Sequence, residues 1–179
     1  MRFNKDRGKE GRLRTLSNGE IRLARSVFGN TLVYHRVWVH KESYLPFSLQ
    51  SKNYGMSPNG EIYFRDKEYS DDYSLERPAD QHFFIHEMVH VYQHQRGMMV
   101  RMRGLMSSMA DYDYTFEENR NFTDYSMEQQ ASIVADFFFL RRYGRQDFIY
   151  LNSRRLKGII DESTILNFEK LLQGTGFPR

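Results

Sequence analysis

The segment His86-Glu87-Met88-Val89-His90, inside PADQHFFIHEMVHVYQHQRG at residues 78–97, limits this chain more than any other stretch. Residues four apart on an α-helix lie one turn apart on the same face, so two imidazoles can reach one ion. Neutral imidazole suits Zn²⁺, and a catalytic zinc ordinarily takes three protein ligands and leaves its fourth position to water. Glu87, about 100° round the helix from His86, leans toward that water and can accept its proton. The spacing predicts His86 and His90 as metal ligands, Glu87 as the catalytic base, and a third ligand from elsewhere.

His82 and His94 extend the same four-residue ladder, but only the 86/90 pair has a glutamate directly after its first histidine. His94 lies about 12 Å along the axis from His86, too far to share an ion while the helix stays regular; it is expected to line the cleft or sit at its edge. A HExxHxxGxxH continuation is excluded, because Gln93 and Arg96 stand where that pattern needs Gly and His. Phe84, Ile85, Met88, Val89, Val91 and Tyr92 fill an arc away from the histidines, which predicts a helix buried on its back.

The 179 residues suffice for one domain with a real core, and the divisions expected are a mobile basic arm over 1–15 and a single domain over 16–179. The absence of cysteine excludes disulfides and cysteine-rich zinc knuckles. A net charge of +3, with Lys and Arg interleaved with acids, gives no nucleic-acid signature. The first twenty residues lack an apolar h-region, so no Sec signal peptide is expected, and no apolar run is long enough for a membrane span.

In chain order, Ser17 and Glu20 form a capping box opening a helix that Gly29 stops. Alternation over 33–40 predicts a strand with Val33, His35, Val37 and Val39 on one face, in which His35 and His40 have structural or solvent roles. Asn59-Gly60 marks a tight turn before a short strand, Glu61 to Arg65, read by analogy as an edge that could hold a substrate backbone. Pro78 starts the metal helix. Five methionines between 98 and 109 are core filling or an adaptable wall beside a groove. Residues 111–126 are acidic and aromatic without a clear period, and read as a loop. A final helix spans about Asp161 to Gln173, with Gly174 as its stop.

Residues 127–143, MEQQASIVADFFFLRRY, predict a second helix, apolar nearly all round and ended by Gly144. A glutamate near the start of a buried helix must be paired, protonated or bound to a metal, which makes Glu128 the candidate third ligand. Asp136 is its chief rival, or else an acceptor for a histidine N–H; Glu117, Glu118 and Asp124 are weaker candidates. Tyr112 and Tyr114, with Tyr125 and His94 behind them, are the candidates for steadying a tetrahedral oxyanion, and packing explains each equally well.

HEMVHVYQHQRG followed by SMEQQASIVADFF resembles the gluzincin type of zinc metallopeptidase, in which a glutamate on a second helix completes the HExxH site. More narrowly, LSNGEIRLARSVFG, SPNGEIYF, FIHEMVHVYQHQ and EQQASIVADFF, within Leu16 to Leu140, are similar to small bacterial metallopeptidase-like proteins associated with the Rhs and Vgr components of type VI secretion. The resemblance covers about two-thirds of the chain and implies His86, His90 and Glu128 as zinc ligands and Glu87 as base. Thermolysin-like gluzincins carry an Asp four residues after the third ligand to orient the first histidine; here that position is Ser132, with Asp136 one turn further as a substitute.

These readings predict an α+β fold, mostly helical with a small sheet, in which the HExxH helix packs on the helix carrying the third ligand. The function expected is zinc-dependent hydrolysis of an amide or peptide bond. The resemblance implies a secreted effector or toxin, made in the bacterial cytoplasm and exported by a secretion system to the periplasm or cytoplasm of a target cell. It also implies peptidoglycan peptides or a protein as substrate, and a secretion-system component or an immunity protein as partner. The alternatives are a non-catalytic zinc-stabilised adaptor of such a system and an intracellular processing peptidase.

Overall fold

The computed structural model describes residues 11–45, 55–65, 67–98 and 111–177. The capping box forms as its spacing requires: the Ser17 hydroxyl accepts from the Glu20 backbone N–H at 3.0 Å, and the Glu20 carboxylate accepts from the Ser17 backbone N–H at 2.8 Å. It opens helix α1, Asn18–Phe28. Glu20 is fully buried and also takes a two-pronged bond from Arg14 at 2.7 and 2.8 Å. A charge that deep is tolerable only because every oxygen is occupied. Arg14 belongs to strand β1, Arg12–Thr15. The basic arm expected over 1–15 therefore ends sooner: residues 12–15 join the sheet, held by this ion pair, and residues 1–10 lie outside the described residues.

The strand expected over 33–40 forms only in its second half. Residues Tyr34–Arg36 make a 3₁₀ turn, bonded Arg36 N to Val33 O and Val37 N to Tyr34 O, and strand β2 is Trp38–Lys41. Val37 and Val39 are buried as the alternation predicts, while Val33 and His35 are exposed because the turn breaks the pleat. Strands β3, Gly55–Met56, and β4, Ile62–Phe64, complete a four-stranded sheet of order β1-β2-β4-β3. Pairing is parallel between β2 and β4 and antiparallel at the other two contacts. β4 thus lies inside the sheet and offers no free edge, contrary to the strand-addition reading. Gly60, at φ 81°, turns the chain back so that β3 ends the sheet beside the HExxH helix.

That helix, α2, spans Pro78–Gln95 with proline in its first turn. Its predicted apolar arc is buried apart from the half-buried Tyr92. Helix α3, Met127–Ile149, is opened by Ser126 and broken at Gly144, whose φ of 86° and ψ of 169° no helix contains. Helix α4 is Thr164–Leu172. α2 and α3 pack lengthwise, and Phe137, Phe148 and Phe168 fill the space behind them without exposure. The fold is α+β in one domain, as expected, with four helices and the small sheet among the described residues. No described helix is long and apolar enough to cross a membrane. The methionine run at 99–109 lies outside the described residues; Met98 is exposed.

Candidate metal centre

Because α2 and α3 run side by side, a residue in the first turn of α3 arrives opposite the HExxH turn of α2. His86 Nε2 and His90 Nε2 stand 3.3 Å apart, and Glu128 Oε2 lies 3.4 Å from the first and 3.0 Å from the second. A tetrahedral ion about 2.0–2.1 Å from its ligands would hold them about 3.3 Å from one another. The three atoms therefore form one face of such a tetrahedron to within a few tenths of an ångström. Among the described residues these three form the one group of His, Cys, Asp or Glu donors close enough to hold a metal ion. Two imidazole nitrogens and one carboxylate oxygen suit zinc chemically, so the donor set fits the ion that the HExxH spacing implies.

The electrostatics fit the same reading. Burial opposes charge on His90, but the adjacent Glu128 carboxylate outweighs it and raises the imidazolium to about 9. Burial likewise opposes ionisation of Glu128, and the two histidines overcome it, holding the carboxyl well below its ordinary range. The triangle is thus built around a positive charge, which a proton or a cation can supply.

Glu87 has partners of its own. Its Oε2 accepts from the buried Ser57 hydroxyl at 2.8 Å. Gly55 of β3 comes so close that a Cβ there would stand 2.7 Å from Glu87 Oε1. Burial raises the Glu87 carboxyl, against the opposing charges of His90 and His86 and the bond from Ser57. A carboxylate lifted toward neutrality and held on two sides has the properties of a proton shuttle.

Behind His90, a chain of amides joins the helices. Gln93, buried, receives His90 Nδ1 on its Oε1 at 2.8 Å and donates from Nε2 to Met127 O at 3.1 Å and Gln130 Oε1 at 3.3 Å. Gln130 in turn donates to Tyr125 O at 2.9 Å. Neither glutamine, nor Gly55, nor Ser57, stood out in the sequence; the one signal was Gln93, three residues past His90 and hence on the same side of the helix.

Several sequence candidates have other occupations. Asp136 does not reach the triangle: its Oδ1 meets His82 Nε2 at 2.8 Å, and its Oδ2 accepts from the Tyr114 hydroxyl at 2.8 Å and the backbone N–H groups of Arg155 and Leu156 at 3.0 Å. Tyr114 is buried there, its hydroxyl committed to Asp136, so it is not presented to the triangle. Tyr112 is brought close, its ring centroid 6.0 Å from that of His86 and 5.4 Å from the Arg155 guanidinium. Tyr125 donates to Thr115 O, Asp124 caps the turn at Asn121, Glu117 pairs with Arg120, and Glu118 is exposed. His94 is exposed against the Gly60 turn. His40 lies between Glu42 and Glu61, stacked on Tyr63 at 4.1 Å. A cavity of about 950 Å³ opens on another side of α2, walled by Val89, Tyr92, Gln93, Phe122 and Phe177. It does not include His86, Glu87 or Glu128, so the donor triangle, not this cavity, marks the chemistry.

No family model matches the chain. It is 42% identical over 132 residues to the type VI secretion system spike protein VgrG2b of Pseudomonas aeruginosa, a stretch that is 70% of this chain and 13% of the spike protein. The solved effector domain of Pseudomonas aeruginosa VgrG2b matches with a TM-score of 0.64 at 36% identity, over 85% of this chain and 87% of that domain.

Proposed function

The chain belongs to the family of the VgrG2b effector domain of Pseudomonas aeruginosa, and from that membership together with the donor triangle we propose that it is a zinc-dependent amide hydrolase acting as a type VI secretion effector. His86, His90 and Glu128 hold the ion, in the gluzincin order. The observation that carries the reading is the convergence of their three atoms at 3.0 to 3.4 Å. Zinc held there supplies Lewis acidity to a scissile carbonyl and to the attacking water.

The remaining steps belong to the protein. Glu87 takes the proton of the attacking water and passes it to the departing amine as the C–N bond breaks, so the carboxylate is regenerated each turnover. Ser57 and Gly55 fix the position from which it does so. Tyr112, beside His86, is the remaining aromatic candidate for steadying the oxyanion. Peptidoglycan peptides or a protein of a target cell are the substrates proposed, with export by the secretion apparatus and an immunity protein as the partner in the producing cell. A zinc-stabilised adaptor would have no use for a buried carboxylate lodged between a serine and a glycine beside the ligands, which favours catalysis.

The test is zinc content and hydrolysis measured together, on purified peptidoglycan and on protein substrates. The wild type should bind one zinc and cleave one of the two classes, while His86→Ala and Glu128→Ala should lose both zinc and cleavage. Equal zinc in all three proteins would sink the ligand assignment, and zinc without any cleavage would sink the hydrolase.

A further inference from the structure

Gln93 touches both halves of the proposed centre. Its Nε2 donates to the carbonyl of Met127, which cannot donate in return, so the amide can have only one orientation. Oε1 must then face the His90 ring, and His90 Nδ1, 2.8 Å away, must be the donor. With its proton on Nδ1, the neutral ring carries its lone pair on Nε2, the atom that points into the triangle. The acceptor Met127 O belongs to the residue immediately before Glu128. One buried amide therefore selects the metal-binding tautomer of the second ligand and fixes the distance to the third.

We infer that Gln93 is the positioning residue of the metal centre, setting the His90 tautomer and docking the first turn of α3 so that Glu128 meets both histidines. The inference rests on the zinc-site reading. It differs from a general packing role in what it predicts: the amide of Gln93 acts on metal affinity through the hydrogen bond to His90, not through the volume it fills. Groups of this kind, donor or acceptor to a ligating histidine, alter metal affinity by about 10- to 100-fold.

The experiment compares zinc affinity, by competition with a chromophoric chelator, in the wild type, Gln93→Met, Gln93→Glu and His90→Ala. Gln93→Met keeps the volume and removes both hydrogen-bonding functions; Gln93→Glu keeps the acceptor for His90. Gln93→Met should bind zinc about 10- to 100-fold more weakly than wild type. Gln93→Glu should recover at least a tenfold part of that loss, and should retain the His90 Nδ1–H proton resonance in the zinc-loaded protein, which Gln93→Met should lack. Wild-type affinity in Gln93→Met, with zinc lost in His90→Ala, would overturn this inference and leave the zinc site standing. Equal zinc binding by wild type and His90→Ala would overturn both. A loss of affinity equal in Gln93→Met and Gln93→Glu would show that an acceptor for His90 Nδ1 does not set the affinity, and likewise end the proposal.

Discussion

Helices α2 and α3 meet through two histidine–carboxylate pairs of identical chemistry and opposite outcome. His82 faces Asp136 at 2.8 Å, and His90 faces Glu128 at 3.0 Å. On each helix the two partners are eight residues apart, and the helices run in opposite directions, so one packing register creates both pairs. Asp136 is supplied with four donors, and His82 Nδ1 has Ser153 Oγ at 3.1 Å. That pair is complete and works as a buried clamp tying α2 and α3 to the segment at 153–156. Around Glu128 the neighbours are instead two ring nitrogens converging on one oxygen, with no backbone N–H among them. The number of N–H and O–H groups brought to the carboxylate, rather than the residue types, separates a structural lock from a site that a proton or a cation can complete.

The largest expected effect comes from a change that leaves both pairs intact. Glu87→Gln keeps size and the bond from Ser57 within reach but cannot accept a proton. Turnover should fall by about 10²- to 10⁴-fold while zinc content stays at the wild-type value. An undiminished rate would remove Glu87 as base. Next is the clamp itself: Asp136→Ala strands His82, the Tyr114 hydroxyl and two backbone N–H groups in the interior, and should cost about 3–5 kcal/mol of stability, read from denaturant unfolding. The folded fraction should still bind zinc. Glu128→Ala should do the reverse, losing zinc with a smaller loss in the metal-free protein. Zinc lost in Asp136→Ala at full stability would break the distinction between the two pairs.

Titration tests the His90–Glu128 pair as well. His90 is raised to about 9 from its ordinary value near 6.5, so the stabilisation it gives the metal-free protein is complete below about pH 6.5 and lost as pH rises through about 9. Glu128, held low, contributes above the ordinary carboxylate range and loses its contribution only as pH falls well below it. Metal-free protein should therefore unfold more easily at pH 9.5 than at pH 6 by on the order of a few kcal/mol. Zinc uptake at pH 7 should release a proton, measurable by calorimetry in buffers of different ionisation heat. A flat profile in the metal-free protein would overturn this account of the His90–Glu128 pair. Smaller again is Gly55→Ala: the added Cβ, 2.7 Å from Glu87 Oε1, must push the carboxylate aside. The rate should drop roughly 10- to 100-fold, with zinc content unchanged.

What the sequence disclosed and what it hid divide along the range of the interaction. Ser17 with Glu20, Pro78 as the start of α2, and the ladder at 86 and 90 are local patterns, and all appear where their spacing puts them. Glu128 was also legible, because a glutamate entering an apolar helix must have a partner. The identity of the partner of Asp136 was not, since it depends on an antiparallel register that neither helix encodes alone. The same holds for Gly55 against Glu87, a contact between β3 and α2, and for Tyr114, whose hydroxyl is drawn inward by a carboxylate on another element. Arg12–Thr15 read as an arm because their charges obscured the strand; what makes it one is the buried Glu20 waiting for Arg14.

Midway between the two pairs stand His86 on α2 and Ser132 on α3, and the smallest expected effect lies there. Ser132 is fully buried and its Oγ has no hydrogen-bond partner among the described residues. It occupies the position where thermolysin-like gluzincins carry an aspartate for the first histidine, yet a hydroxyl is too short and too weak an acceptor to replace a carboxylate. An unmade hydrogen bond in the interior costs the desolvation of its group, so removing the group should be neutral or stabilising by up to about 1 kcal/mol. Ser132→Ala should therefore raise the melting temperature slightly or leave it unchanged, with wild-type zinc affinity. A fall in zinc affinity would mean instead that Ser132 reaches the His86 ring through a bound water. His86 would then have a support of its own, as His90 has in Gln93, and the middle of the helix pair would belong to the metal centre rather than to the packing between the two pairs.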